Sequence, residues 1–167
     1  MRMFDKLKKK VADMPWWGWA IAGGGSLLLF GGGAVATFEY LGWNESQVRD
    51  WIAQALAALQ SDGIDVSPLN PDDLVIIAKG ESNGDPNAVQ GGDVVDVNTA
   101  SGDLAKGIMQ TISATFNSFK SASLPDDVFN PVSNIAASSK YILHRYHSSD
   151  NVPGVIAVNS GRKYQGY

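Results

Sequence analysis

One carboxylic acid in this chain stands where an acid can do chemistry. Glu81 follows the apolar run Leu74 to Ala78 and precedes Ser82-Asn83-Gly84, a stretch that stops a helix. Its setting is therefore a helix C-terminus, whose negative pole raises a carboxyl pKa, and partial burial raises it further. A carboxylic acid still protonated near neutral pH can donate its proton to a poor leaving oxygen such as that of a glycosidic bond. The ordinary alternative is an exposed polar residue at a helix end, because helix-ending acids are common. Asp93, Asp96 and Asp103 follow in a hydrophilic stretch. A second carboxylate about 6.5–9.5 Å from the first could activate water, although a solvated acidic loop explains them equally. These acids lack the alternating pattern and terminal Glu of a calcium loop. His144 and His147 are three apart and can share a helix face, but two ligands do not make a zinc site. No metal or cofactor is expected. The absence of cysteine removes disulfides, thiolate metal sites and cysteine nucleophiles together.

The elements that must position Glu81 are helical. From Asn44 to Gln60 apolar residues fall at Val48, Trp51, Ile52, Ala55, Leu56 and Leu59, the stepping of an amphipathic helix. Asn44 with Gln47 offers the start signal and Gly63 the stop. After a short loop over 64–69, Asn70-Pro71-Asp72-Asp73 supplies a cap, a first-position proline and two acids on the positive helix end. That helix runs to about Gly80. Residues 84–105 are rich in Gly, Asp, Asn, Ser and Thr, with Val89, Val94, Val95 and Val97 among them; they read as a long functional loop or a small β-hairpin. A helix is predicted from Ser113 to Lys120 with Phe116 and Phe119 inward, and another from Asn130-Pro131 through Tyr146. The segment from Val152 to Tyr167 reads as coil.

The 167 residues suit one domain with an appendage. Residues 1–15 are basic: Arg2, Lys6, Lys8, Lys9 and Lys10 stand against Asp5 in the first ten. Residues 16–38 carry no charge over 23 positions and open with Trp16, Trp17 and Trp19. About 20 apolar residues span a bilayer core, with basic flanks inside and aromatic residues at the headgroups. A single transmembrane signal-anchor helix is therefore expected, with a domain outside the membrane. Ala34-Val35-Ala36 also fits a signal-peptidase site that would release the domain. A buried soluble helix would be poor with seven glycines. From Glu39 onward 15 acids oppose 8 bases, a net of −7, which argues against nucleic acid as a partner. Residues 39–50 then serve as linker and helix start, and 51–167 as the functional domain.

Glu81-Ser82-Asn83-Gly84-Asp85-Pro86-Asn87-Ala88-Val89 is followed, 26 residues after Glu81, by Gly107-Ile108-Met109-Gln110-Thr111. The two helices opening near Ser113 and Asn130 come next, then Val152-Pro153-Gly154 and Tyr164-Gln165-Gly166-Tyr167. This ordered set, covering Trp51 to Tyr167, resembles the soluble lytic transglycosylase group with its goose-type lysozyme-like architecture, and especially its short actinobacterial and phage-tail forms. The resemblance implies a mainly α, α+β lysozyme-like fold acting on peptidoglycan glycan strands. Glu81 matches the family's single catalytic acid/base. It would protonate the oxygen between N-acetylmuramic acid and N-acetylglucosamine, then deprotonate the muramic 6-hydroxyl to close a 1,6-anhydro ring. Ser82 matches the position that orients the glutamate and touches substrate. Gly107, Ile108, Met109 and Gln110 match a strip lining the cleft, although core packing serves Ile108 equally. Larger members carry an Ala-Tyr-Asn motif whose tyrosine reaches the glutamate. The local match is Ala157-Val158-Asn159, which leaves Asn159 as a substrate contact and Tyr164 or Tyr167 to supply the phenol. The alternatives are a hydrolytic muramidase and a non-catalytic peptidoglycan-binding module. Size and topology suit local wall opening for a secretion, conjugation or phage apparatus.

Overall fold

A computed structural model of the chain describes residues 43–90 and 102–167, together with the backbone of 19–22, 26–31 and 34–39. The chain divides into two compact units, 1–42 and 43–167. Asp93, Asp96 and the valines Val94, Val95 and Val97 fall outside the described residues.

In the first unit the structure corrects the expectation of one helix over 16–38. Three strands, β1 (Trp19–Ala22), β2 (Ser26–Gly31) and β3 (Ala34–Glu39), pair antiparallel in the order β1-β2-β3. Trp19 lies opposite Leu29, and Ser26 opposite Glu39. The glycines explain the change of element. Gly23-Gly24-Gly25 and Gly32-Gly33 separate the three apolar runs in the sequence, and each interior glycine costs a helix about 1 kcal/mol relative to alanine. Among the described residues no helix is long and apolar enough to cross a membrane.

The second unit is mainly helical. Helix α1 (Glu45–Ser61) begins where Asn44 Oδ1 accepts the Gln47 N–H, and it buries Val48, Ile52, Ala55 and Leu59. Its Trp51 and Leu56 pack half-buried on the margin of the core. Helix α2 (Pro71–Ser82) begins at Asn70, whose side chain accepts the Asp72 N–H. It ends when Asn83 turns left-handed at φ 54°, so that the Gly84 N–H returns to the Ala78 carbonyl at 3.2 Å. That closure satisfies a carbonyl the helix would otherwise leave open. Helix α3 (Ser113–Phe119) has no side-chain cap of its own from Ile112. Asp103 supplies one, accepting the N–H groups of Ser113 and Ala114 at 2.8 and 3.0 Å.

Helix α4 (Pro131–Tyr146) is the central element. Ser133 through Ser139 are all buried, so small side chains let α1 and α3 close on it. A short 3-10 turn (Ser149–Asn151) precedes helix α5 (Pro153–Asn159), which packs against α2. Sequence patterning reads this last stretch as coil. Val155, Ile156 and Val158 are weak helix formers and Gly154 a worse one, so the helix depends on burying Val155 and Ala157 against α2. Of the long loop or small β-hairpin expected within 84–105, the described residues show an isolated antiparallel bridge. Val89 bridges Lys106 antiparallel, and the Gln90 N–H donates to the Ala105 carbonyl at 2.8 Å.

Candidate active site

The end of α2 delivers Glu81 to a cleft of about 370 Å³. The carboxyl is half-buried there, and burial is the leading cause that pushes its pKa above the ordinary carboxylate range. One hydrogen bond opposes that push: the Tyr164 hydroxyl donates to Glu81 Oε1 at 2.7 Å. Burial, then the charge of Glu81 itself, drives the Tyr164 phenol far above its usual pKa, so it remains a donor whatever the state of the carboxyl. A helix-end acid whose burial favours the protonated form, with one oxygen held by a phenol donor, is equipped for general acid–base work.

Beside Glu81, the Ser82 hydroxyl donates to the Ile108 carbonyl at 2.7 Å, with the Ala78 carbonyl 3.2 Å away. The end of α2 is thereby stapled to the turn 106–111. Lys106 and Thr111 close that turn with a pair of backbone hydrogen bonds, 3.1 and 2.9 Å. Gly107 and Gln110 take positive φ within it, 77° and 46°. Asn134 of α4, wholly buried, holds it from beneath. Its Oδ1 accepts the Met109 N–H at 2.8 Å, and its amide donates to the carbonyls of Val128 and Lys106 at 2.9 and 3.3 Å. A Cβ on Gly107 would lie 2.6 Å from both the Asn134 amide nitrogen and the Val128 carbonyl.

This arrangement corrects three sequence expectations. Ile108 and Met109 are 0% exposed and belong to the core rather than to the cleft surface, because the reversal at Gly107 turns them inward. Gly107 is buried over Asn134 and does not offer its backbone to a ligand. Asn159 is exposed at the end of α5 and does not line the described cleft. From the expected strip only Gln110 reaches the cleft, its amide donating to the carbonyls of Gly107 and Ala88 at 2.9 and 3.2 Å.

Gln90, Ala105, Ile112, Thr115 and Tyr141, which the sequence did not single out, complete the wall together with Thr111 and Tyr167. Tyr167 does not touch Glu81. Its hydroxyl donates to the Met109 carbonyl at 2.7 Å and lies 3.1 Å from Ser138 Oγ. Thr111 and Ser138 share a further hydroxyl contact at 2.7 Å. For Asn134 a signal was available, since it is a polar residue amid Val132, Ile135 and Ala136 on the buried face of a helix. The cleft threonines carried none, because surface hydroxyls are ubiquitous. Asp103 is committed to capping α3. The Ser113 hydroxyl first, then the backbone N–H groups and Lys106, holds its carboxyl well below the ordinary range. His144 is exposed against the Phe119 ring at a centroid distance of 5.4 Å. His147 forms the left-handed end of α4 at φ 68°.

The profile of the transglycosylase SLT domain matches residues 65–164. The chain belongs to that family. The SLT domain so defined takes in Glu81, the 106–111 turn, Asn134 and Tyr164, and it carries the general character of a peptidoglycan-acting, lytic transglycosylase-type module. A curated relative, the uncharacterized protein YqbO of Bacillus subtilis (strain 168), is 35% identical over 137 residues. That alignment takes in 81% of this chain and 8% of YqbO, so the chain spans a small part of the relative's length. No solved structure matches the chain significantly.

Proposed function

We propose that the SLT domain is a peptidoglycan lytic transglycosylase in which Glu81 is the single acid/base. The observation that carries this reading is the cleft wall itself. Among the described residues that line it, Glu81 is the one carboxylate, half-buried and biased toward its protonated form. A hydrolase of the inverting kind needs a second acid across the bond to activate water, whereas ring closure by the substrate's own hydroxyl needs one group acting twice. Glu81 gives its proton to the glycosidic oxygen between N-acetylmuramic acid and N-acetylglucosamine. The bond from the muramic C1 to that oxygen breaks, and N-acetylglucosamine departs with a new hydroxyl. The carboxylate then takes the proton of the muramic 6-hydroxyl as its oxygen bonds to C1. The 1,6-anhydro ring closes, Glu81 is protonated again, and no water is consumed. The Thr115 hydroxyl and the amide oxygen of Gln110 suit the neutral N-acetyl and hydroxyl groups of such a strand.

Digestion of purified peptidoglycan followed by mass spectrometry tests the reading. Anhydro-muramic ends are expected from the wild type. Reducing muramic ends would make the domain a muramidase, and intact strands that bind without cleavage would make it a binding module. Glu81→Gln is expected to lower cleavage at least about 10³-fold while leaving binding to the wall intact; wild-type cleavage in that variant rules out the assignment. Peptidoglycan lies outside the cytoplasmic membrane, so this reading places the domain's work on that side. Fractionation of cells expressing the chain tests the location.

A further inference from the structure

The ring of Tyr164 packs directly against two glycines. Gly80, in the last turn of α2 and adjacent to Glu81, stands against its Cδ1 side; Gly154, in the first turn of α5, stands against its Cε2 side. A Cβ on Gly80 would stand 2.5 Å from the ring's Cγ, and one on Gly154 would stand 2.7 Å from its Cδ2. No side-chain atom occupies such distances, so neither position admits even alanine with the ring in place. Conformation does not account for either glycine. Both lie inside helices, and neither is among the glycines with positive φ, which are Gly63, Gly84, Gly102, Gly107, Gly161 and Gly166. An interior helical glycine is the weaker choice than alanine, and nothing but the space for the ring offsets it.

We propose that Gly80 and Gly154 are positioning residues, forming a slot one aromatic ring wide that sets the Tyr164 hydroxyl on Glu81. The segment 160–167 bears this out along its length. The Gly154 N–H donates to the Gly166 carbonyl at 2.9 Å, which clamps the segment to the mouth of the slot. Three residues beyond Tyr164, the Tyr167 hydroxyl is moored on the Met109 carbonyl at 2.7 Å. The ring is thus hemmed in by the two glycines and by an anchor after it, and its hydroxyl has one place to go. Because one oxygen of Glu81, Oε1, accepts that hydroxyl at 2.7 Å, the other, Oε2, is the one left to carry the exchangeable proton. The slot therefore selects which oxygen of the carboxyl works. In this chain the tyrosine reaches the glutamate from a segment that follows α5, and the paired glycines are what permit that approach.

The inference rests on Glu81 being the acid/base, and the test separates the two. Gly80→Ala, Tyr164→Ala and the double variant are compared by thermal unfolding, with Tyr164→Phe and Gly154→Ala alongside. With the ring present, in wild type or Tyr164→Phe, Gly80→Ala is expected to lower Tm by about 5 °C. In the Tyr164→Ala background the same change is expected to be neutral or stabilising, and Gly154→Ala is expected to follow the same rule. Where Gly80→Ala alone does not fold, recovery of folding in the double variant carries the same information. In wall digestion Gly80→Ala is expected to lose about tenfold in kcat with little change in KM, and to move the alkaline limb of the pH profile upward as Tyr164→Phe does. Equal Tm losses in both backgrounds, or a Gly80→Ala enzyme with the wild-type Tm and pH profile, overturn the slot. Cleavage by Glu81→Gln overturns the catalytic assignment instead, and the unfolding cycle reads the slot regardless.

Discussion

Glu81 is governed by two opposed influences, and their balance sets the pH range of the domain. Burial favours the neutral acid, and the Tyr164 hydroxyl favours the anion. The first step of the proposed reaction needs the proton on Glu81 and the second needs it gone, so a pKa displaced too far in either direction slows one of them. Tyr164→Phe keeps the ring and removes the donor. The anion loses its stabilising partner, the pKa of Glu81 rises further, and the protonated form persists to higher pH. The alkaline limb of kcat/KM is therefore expected to move upward, with a roughly tenfold lower rate at neutral pH for want of a fixed oxygen. Rates of wall digestion measured from pH 4 to 9 check this. A downward shift would mean that the hydroxyl does not donate to the ionised carboxyl.

At the level of elements, the turn 106–111 shows how much of the site depends on one buried side chain. Asn134 pairs with Met109, Lys106 and Val128, and the turn in turn receives Ser82 at Ile108 and Tyr167 at Met109. Asn134→Ala would leave the Met109 N–H and the Val128 carbonyl short of partners while opening a cavity. A loss of about 3 kcal/mol is expected in urea unfolding, since each unsatisfied buried group costs roughly 1–3 kcal/mol. A variant within 0.5 kcal/mol of wild type would show that water or a shifted turn replaces the amide. Much at this level was legible in advance. Asn44, Asn70-Pro71 and Asn130-Pro131 announce three helix starts through local capping chemistry, and all three hold. What escaped depends on packing between distant segments. The direction of Ile108 and Met109 follows from a positive φ at Gly107 and from Asn134, 27 residues further on, and α5 exists because α2 offers a surface to its Val155 and Ala157. The glycine-rich stretch 16–38 shows the converse, where hydropathy suggested one long helix and glycine spacing divides it into strands.

For the molecule as a whole, a site that keeps an acid half-buried stands against stability, and the sign can be worked out. The folded-state pKa of Glu81 lies above its unfolded value. The folded protein thus holds that proton more tightly than the unfolded chain does, and stability falls as pH rises from the unfolded value through the folded one. Above both values the full penalty of an ionised, partly desolvated carboxylate is present; below both it vanishes. Glu81→Gln removes the charge and keeps an oxygen to accept from Tyr164. It is therefore expected to raise Tm at pH 7 while abolishing cleavage, and the gain is expected to shrink toward zero as pH is lowered through 4. Differential scanning calorimetry of the two proteins at pH 4, 5.5 and 7 measures the trend. A Tm for Glu81→Gln at or below wild type at pH 7 would mean that the carboxylate is better solvated in the fold than its place in the cleft wall allows. The proposed chemistry then supplies the reason for the penalty: it asks the core built on α1 and α4 to carry an acid that packing alone does not require.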